Sequence, residues 1–459
     1  MSAPSRIVFD LSSSVRWGGT PGGLVRCQRE LAGWARRRRA GILFAVFDPS
    51  CARYRTVSPA HLDALLAGEA TINVWGWGDA NGARGAPAML RLAGRPKRAA
   101  LTALEAVRLG SRGRTAAWAD RLQRSLMDAA ARRALVGQDG ARRPFLDPAA
   151  ALGETLTFVP GDILVLASWW AHAGAGPILQ AKAERGLRLA ALCYDLIPLV
   201  LPQLYDPRSL AAMEAWWRRI LPACDLVAVN AQATARNVRT FCADWGAAAP
   251  PTGVFPLGAD PAGMAAGADP LPDDLREGRY VLFVSTLGPH KGHAMICRAW
   301  AELMSAGAPG RDGFKLVFVG RPGWQKDPLE DQIASDPRLA GSVVRLAGVS
   351  DTVLDSLYRK SAFCIFPSLY EGYGLPVVEA FARGKAVLAS DGGSLPEVVG
   401  DFSPVLPAGD QAAWRDAIGA WIVDPSLRAP FEAAIRERFR PVSWNEAAER
   451  FFALIDAIA

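Results

Sequence analysis

At 459 residues the chain exceeds what one hydrophobic core usually serves, so two domains of about 200 residues each are expected. Half of the residues are apolar and 21% are charged, with no long polar low-complexity tract, which excludes a largely disordered chain. The net charge of +7 is concentrated: thirteen Lys/Arg stand against four acids between Arg91 and Arg143, leaving the remainder slightly acidic. This excess suits anionic phosphates or a membrane surface. No zinc-finger spacing, aromatic RNA-binding signature or heptad zipper accompanies it, so no nucleic acid is expected as a partner.

In chain order, "RIVFDLS" reads as a strand and "GGLVRCQRELAGWARR" as the helix after it. Between them, "GGTPGG" (Gly18 to Gly23) is either a flexible turn or a backbone approach to a diphosphate through Gly22 and Gly23. The segment from about 80 to 155 is Arg- and Ala-rich and helical in pattern. It is either a solvated helical insertion or a basic amphipathic surface for anionic lipid or a lipid-linked phosphate. "ILVLASWWAHAGAGPIL", with His172 and Pro177, is too short and too polar to cross a bilayer, so a cytoplasmic protein is expected, resting at most on the inner face of the plasma membrane. "RLAALCYDL", "SLAAMEAWWRRILPAC", "DLVAVN" and "AQATARNVRTFCADW" continue the strand–helix alternation that signals βαβ units and a parallel sheet.

Residues 256–278 are dense in Pro, Gly, Asp and Ala and read as a linker. A second alternating series follows: "RYVLFVSTL", "HAMICRAWAELMSAG", "FKLVFVGRPG", "SVVRLAG", "DTVLDSLYRKS", "AFCIFPS", "LPVVEAFARG", "KAVLAS" and "SLPEVVG". The fold class is α/β, with two Rossmann-like halves at 1–258 and 259–440. A last amphipathic helix within 441–459 is expected to return to the first half. Cys27, Cys51, Cys193, Cys224, Cys242, Cys297 and Cys364 are odd in number and mostly lie in apolar runs, the pattern of buried free thiols in a reducing compartment. No CxxC, His/Cys cluster or Asp-x-Asp pattern calls for a metal, and no cofactor is expected.

In paired α/β sheets ligands bind beyond the carboxyl ends of the strands. After "RYVLFVS" comes "TLGPHKGH", with Thr286, Gly288, His290 and Lys291: backbone N–H groups at a helix entrance and a lysine, the materials of a phosphate site or of a solvated turn. After "AFCIFPS" comes "SLYEGYGLPVVEAFARG". Gly372 and Gly374 permit unusual dihedrals and close ligand approach, and Pro376 opens a helix that Gly384 stops. Glu379 in the first helical turn has a structural reason, the helix dipole. Glu371, before the bend, has none, and a carboxylate there suits sugar hydroxyls.

"FPSLYEGYGLPVVEAFARGKAVLASDGGSLPEVVGD", with Glu371 and Glu379 in an E-x7-E pattern, resembles the signature of retaining glycosyltransferases of family 4. "VSTLGPHKG", "LVFVGRPGW", "VRLAGVSDTVLDSLYRKS" and "SWNEAAERF" extend the likeness, which is specific over about 280 to 400 and looser at 190 to 260. The resemblance implies the GT-B fold, two Rossmann-like domains facing across a cleft, here with a helical basic insertion in the first. It implies that Glu379 holds the ribose, that Glu371 and the backbone of Gly372, Tyr373, Gly374 and Leu375 hold the transferred sugar, and that Lys291 neutralises the departing diphosphate. Thr286, His290 and Arg321 join the donor side. No metal or protein nucleophile is implied.

Relatives often read Arg-Lys at His290-Lys291, which points to a pH-dependent phosphate affinity or to Arg321 as a second cation. They often carry His-Asp where this chain has Tyr194-Asp195, leaving Asp195 as the residue toward the sugar or acceptor. The implied reaction moves a hexose, first of all mannose from GDP-mannose, to a glycan or lipid-linked acceptor of surface polysaccharide synthesis. Two other readings stand beside it. One is a non-catalytic sugar-binding subunit; the other is a dinucleotide-dependent oxidoreductase, for which "GWGDANG" is an incomplete G-x-G-x-x-G.

Overall fold

The computed structural model describes residues 6–17, 22–49, 51–72, 145–168, 173–259, 271–311, 313–321 and 329–459. The chain divides into two compact units that interleave along the sequence. The first is Met1–Leu192, Ala211–Asp225 and Ala457–Ala459; the second is Cys193–Leu210 and Leu226–Asp456.

The first unit is built on β1 (Ile7–Asp10), β2 (Leu43–Asp48), β3 (Arg53–Val57), β6 (Leu152–Thr155), β7 (Ile163–Leu166) and β8 (Arg188–Cys193), with a small separate pair, β4 (Thr71–Ile72) and β5 (Phe145–Leu146). Its sheet runs β8-β7-β1-β2-β3-β6. β8, β7, β1 and β2 are parallel, and β1 and β7 are buried along their whole length, as strands covered on both faces must be. β3 and β6 turn antiparallel at the edge. The Arg55 guanidinium fastens that edge by donating to the carbonyls of Gly153 at 3.0 Å and Leu152 at 3.1 Å.

The expected helical insertion at 80–155 needs correction at its end, where β5 and β6 are strands around a four-residue helix, Pro148–Ala151. Backbone pairing, of β5 with β4 and of β6 with β3, overrides the helical pattern there. The rest of the insertion, up to residue 144, lies outside the described residues, as does "GWGDANG".

The second unit carries the parallel pair β9 (Leu226–Val229) and β10 (Thr252–Val254). Its main sheet has six parallel strands: β11 (Tyr280–Val284), β12 (Lys315–Val319), β13 (Val343–Leu346), β14 (Phe363–Phe366), β15 (Val387–Ser390) and β16 (Val405–Leu406). Their order, β13-β12-β11-β14-β15-β16, is the doubly wound arrangement in which the direction of winding reverses between β11 and β14. Tyr280, Phe283, Trp300, Phe318, Phe363 and Trp414 fill the core on either side of it.

The Trp444–Asp456 helix packs on β9 and β10, with Phe451 edge-on to Phe255 at 5.1 Å. Gly253 and Gly258 make that approach possible, because a Cβ on either would lie 2.6 Å from Leu454 or Trp444. Its start is a reciprocal cap. Ser443 N–H donates to Glu446 Oε2 at 2.9 Å, and Glu446 N–H donates to Ser443 Oγ at 3.1 Å.

Candidate functional site

The reversal point of the second sheet places the loops after β11 and β14 side by side, and these are the two loops that carry Lys291 and Glu371. They are stitched at the backbone: Leu369 N–H donates to the His290 carbonyl at 2.7 Å. Gly292, with φ +86°, lies against the Pro367 carbonyl, 2.6 Å from where a Cβ would be. Only glycine fits there on both counts. Lys291 leaves a short 3-10 turn, Pro289–Lys291, just before the His293–Ala306 helix.

Lys291 Nζ donates to Glu371 Oε1 at 2.5 Å, and the ammonium lies 5.8 Å from the Phe366 ring centroid. The side chains are 17% and 8% exposed, so this is an ion pair at the floor of the site. Glu371 is further fixed by its backbone, whose carbonyl accepts from Ser394 N–H and Oγ–H, both at 3.1 Å.

Gly372 matters for approach, and its φ is not positive. A Cβ on it would lie 2.6 Å from the Tyr194 carbonyl and 2.8 Å from Asp195 Cβ, so the bend brings Asp195 beside Glu371. Asp195 Oδ1 accepts from Ile197 N–H at 3.1 Å, while burial, and then the Glu371 charge, push its carboxyl above the usual range. Gly374, at φ +106°, caps the Leu375–Phe381 helix. Tyr373 donates to the Leu257 carbonyl at 3.4 Å, and burial raises its phenol to about 12.

Glu379 departs from expectation. The helix begins at Leu375, with Pro376 as its second residue, so Glu379 falls in the second turn beyond the strongest reach of the dipole. A side-chain network holds it instead. Tyr358 hydroxyl donates to Glu379 Oε2 at 3.1 Å, Arg383 donates to the Glu379 carbonyl at 2.7 Å, and Arg383 pairs with buried Asp355 at 2.7 Å.

His290 also departs from expectation. It is buried, stacks on Tyr205 at 6.4 Å between centroids, and meets the Tyr205 hydroxyl through Nδ1 at 3.4 Å. Burial, with the Lys291 charge beside it, lowers its pKa to about 4, so the ring is neutral at physiological pH and supplies no titrating cation for phosphate. Arg321 is half-buried beside the loop: its carbonyl accepts from Leu287 N–H at 2.9 Å, and burial lowers its pKa. Thr286 is exposed in the same loop.

Gly22 and Gly23 belong to the first unit, where Gly22 caps the Gly23–Arg38 helix and its carbonyl accepts from Arg26 N–H at 2.9 Å. Sequence reasoning passed over Tyr205, Ser394, Tyr358 and Arg383. It also passed over Glu397, whose carboxylate accepts from Gln232 N–H at 2.7 Å and Ala233 N–H at 3.2 Å and so caps the Gln232–Asp244 helix. Ser394, Tyr358 and Arg383 stand within the motif stretches; what the sequence lacks is the pairing. Among the described residues no cluster of His, Cys, Asp or Glu has metal-binding geometry.

If Glu379 contacts the donor, Tyr358→Phe removes one oriented hydrogen bond, worth about 1 kcal/mol. The expected result is a KM for donor raised roughly fivefold with kcat unchanged, read by steady-state kinetics. An unchanged KM would remove Tyr358 from the donor site.

Residues 274–438 match the family model described as glycosyl transferases group 1. A serotype-specific mannosyltransferase of Escherichia coli is 26% identical over 323 residues, covering 67% of this chain and 38% of that protein. O-antigen chain mannosyltransferase B of Escherichia coli is 35% identical over 170 residues, 36% of this chain and 42% of the relative. The chain thus spans about two-fifths of the length of these curated relatives. Among solved structures, Anabaena HepE in complex with UDP and glucose superposes with a TM-score of 0.58 at 17% identity, over 99% of this chain and 100% of that one. At that identity the likeness concerns the fold, which is GT-B.

Proposed function

We propose that the protein is a retaining glycosyltransferase that moves a hexose from a nucleoside-diphosphate sugar to a glycan or lipid-linked acceptor, with mannose from GDP-mannose as the first donor to test. The observation that carries this reading is the part-buried Lys291–Glu371 pair, set at the reversal point of a doubly wound sheet, where such sheets bind nucleotides. An ammonium has three N–H donors; Glu371 takes one, leaving Lys291 able to meet a diphosphate oxygen from the same position. The matched family segment and the mannosyltransferase relatives support the reading.

In this reading the bond between the anomeric carbon and the phosphate oxygen breaks, and the nucleoside diphosphate leaves. The acceptor oxygen bonds to the same face of the sugar, and its proton passes to the departing phosphate. Lys291 stabilises the charge that develops on that phosphate. Glu371 and the Gly372–Leu375 backbone hold the sugar, Glu379 the ribose, and Asp195 the acceptor side. Arg321, Thr286 and neutral His290 line the donor loop. No metal is required.

The test is thermal denaturation with GDP-, UDP-, dTDP- and ADP-sugars. A cognate donor at a hundredfold over its Kd stabilises by about 2.7 kcal/mol, and GDP-mannose is expected to give the largest shift. A shift with none of them would overturn the reading.

The basic stretch Arg91 to Arg143 makes a peripheral membrane location part of the proposal, on the cytoplasmic face. Neutralising Arg95, Arg98, Arg112 and Arg114 together is expected to weaken sedimentation with phosphatidylserine liposomes. Undiminished binding would remove the membrane role.

A further inference from the structure

One short segment of the second unit meets both loops of the Lys291–Glu371 site. It runs from Cys193 to Leu210, and its neighbours in sequence, Leu192 and Ala211, belong to the first unit. Near its start, the Tyr194 carbonyl and Asp195 Cβ lie against Gly372, in the loop after β14. Near its end, Tyr205 lies on His290, in the loop after β11.

The backbone that carries Tyr205 is held on both sides. Before it, the Ile197–Val200 helical turn and the Pro202–Leu204 3-10 turn are separated by Leu201 alone. Leu201 N–H donates to the Ile197 carbonyl at 2.8 Å, and Tyr205 N–H donates to the Pro202 carbonyl at 3.2 Å. After it, Asp206 Oδ2 accepts from Ser209 N–H at 2.9 Å at the start of the Pro207–Ile220 helix. Pro198, Pro202 and Pro207 restrict the segment further, because each fixes its own φ.

Tyr205 is part-buried, and among the described residues it stands outside the hydrophobic core of the second unit. Core packing therefore does not account for it. Its ring stacks on His290 with 24° between the planes, at a separation usual for offset aromatic pairs. Burial, and then the charges of Asp195 and Glu371, raise the pKa of its phenol, which stays protonated and faces the carboxylates of the site. His290 is the middle residue of the Pro289–Lys291 turn, and its carbonyl accepts from Leu369 N–H in the loop of Glu371. Holding the His290 ring thus holds the turn from which Lys291 leaves. A lysine ammonium sits on a long flexible stem, so its reach is set by how firmly its backbone is placed.

We propose that Tyr205 is a positioning residue of the donor site: by stacking on His290 it holds the Pro289–Lys291 turn, and so keeps the Lys291 ammonium where it reaches both Glu371 and the diphosphate; the inference rests on the glycosyltransferase reading. Tyr205 acts here without touching the substrate. Its effect passes through Lys291 and vanishes when the lysine is gone, whereas a packing role alone would be felt with or without it.

The test is calorimetric titration with GDP, UDP, dTDP and ADP of the wild type, Tyr205→Phe, Tyr205→Ala, Lys291→Ala and the double variant Tyr205→Ala with Lys291→Ala. Tyr205→Ala is expected to weaken diphosphate binding about fivefold and to lower kcat/KM for transfer about tenfold. Tyr205→Phe keeps the ring and is expected to recover most of both losses. In the Lys291→Ala background, Tyr205→Ala is expected to cause no further loss of diphosphate affinity. Tyr205→Leu keeps apolar bulk without a flat ring and is expected to lose affinity as Tyr205→Ala does, which keeps the test decisive if the alanine variant folds poorly.

Undiminished affinity in Tyr205→Ala and Tyr205→Leu, for a diphosphate that the wild type binds, overturns the positioning role alone. An equal loss with and without Lys291 also overturns it, as does a Tyr205→Phe variant as weak as Tyr205→Ala. A wild type that binds none of the four diphosphates overturns the glycosyltransferase reading on which the role rests.

Discussion

Glu371→Gln is expected to lower transfer by roughly 10²–10³-fold, the usual cost of losing a preorganised electrostatic contact, while nucleoside-diphosphate binding survives. The substitution keeps shape and leaves the Lys291 ammonium an acceptor, the glutamine carbonyl, so the fold holds. Lys291→Ala should act differently. It strips the cation from a Glu371 side chain only 8% exposed, and breaking a buried pair from one side costs about 3–5 kcal/mol. Nucleotide affinity and Tm should therefore fall together.

The double variant Lys291→Met with Glu371→Leu separates stability from function. Removing both charges restores much of the Tm, because no buried ion is left alone, yet transfer stays absent. Steady-state rates, nucleotide titration and thermal melts on the four proteins check this. Near-normal turnover in Glu371→Gln would remove the sugar-holding role, and unchanged nucleotide affinity in Lys291→Ala would remove the phosphate role.

Most of the second unit was legible because its strands are short apolar runs between helical patterns, and Lys291 and Glu371 could be assigned to loops of one site because each follows such a strand; their direct ion pair was not legible. The outer strands of the first unit were not legible. "RYRTV" is half polar, and "LGET" sits at the end of an Arg- and Ala-rich stretch, so nothing local marks them as partners. The Glu397 cap on Gln232 spans 165 residues of sequence, and the Tyr205 contact with His290 spans 85. A single sequence carries no signal for such pairs. Residue identity also misled twice. Histidine in place of arginine suggested a titrating cation, but burial decides the protonation state. Pro376 suggested the first helical position, but Leu375 takes it, and that one-residue shift carries Glu379 past the first turn.

Acid is expected to unfold the second unit selectively through its two buried histidines. His290 has its pKa lowered to about 4 and His293 to about 3, in both cases mainly by burial, from an unfolded value near 6.5. His293 stacks on Phe283 at 4.4 Å and contacts Ser285 Oγ through Nε2 at 3.1 Å. Since both folded-state values are depressed, the unfolded chain takes up protons first as pH falls. The stability that the neutral rings allow is complete above about pH 6.5 and is lost progressively toward pH 4 for His290 and pH 3 for His293. Each histidine contributes a slope of up to about 1.4 kcal/mol per pH unit.

Asp195 works the other way. Its raised pKa favours the folded state at low pH and offsets part of the loss. Asp10, raised to about 6 by burial, does the same in the first unit between about pH 4 and 6, so that unit should resist acid better. Hydrogen exchange between pH 7.5 and 4.5 follows each unit separately. Amides of β11 and the His293–Ala306 helix should lose protection before those of β1 and β7. In His290→Gln the second unit should hold to lower pH, because one proton is no longer taken up on unfolding. The same pH dependence in wild type and His290→Gln would show that His290 titrates normally, and the phosphate site would then regain a pH-dependent cation.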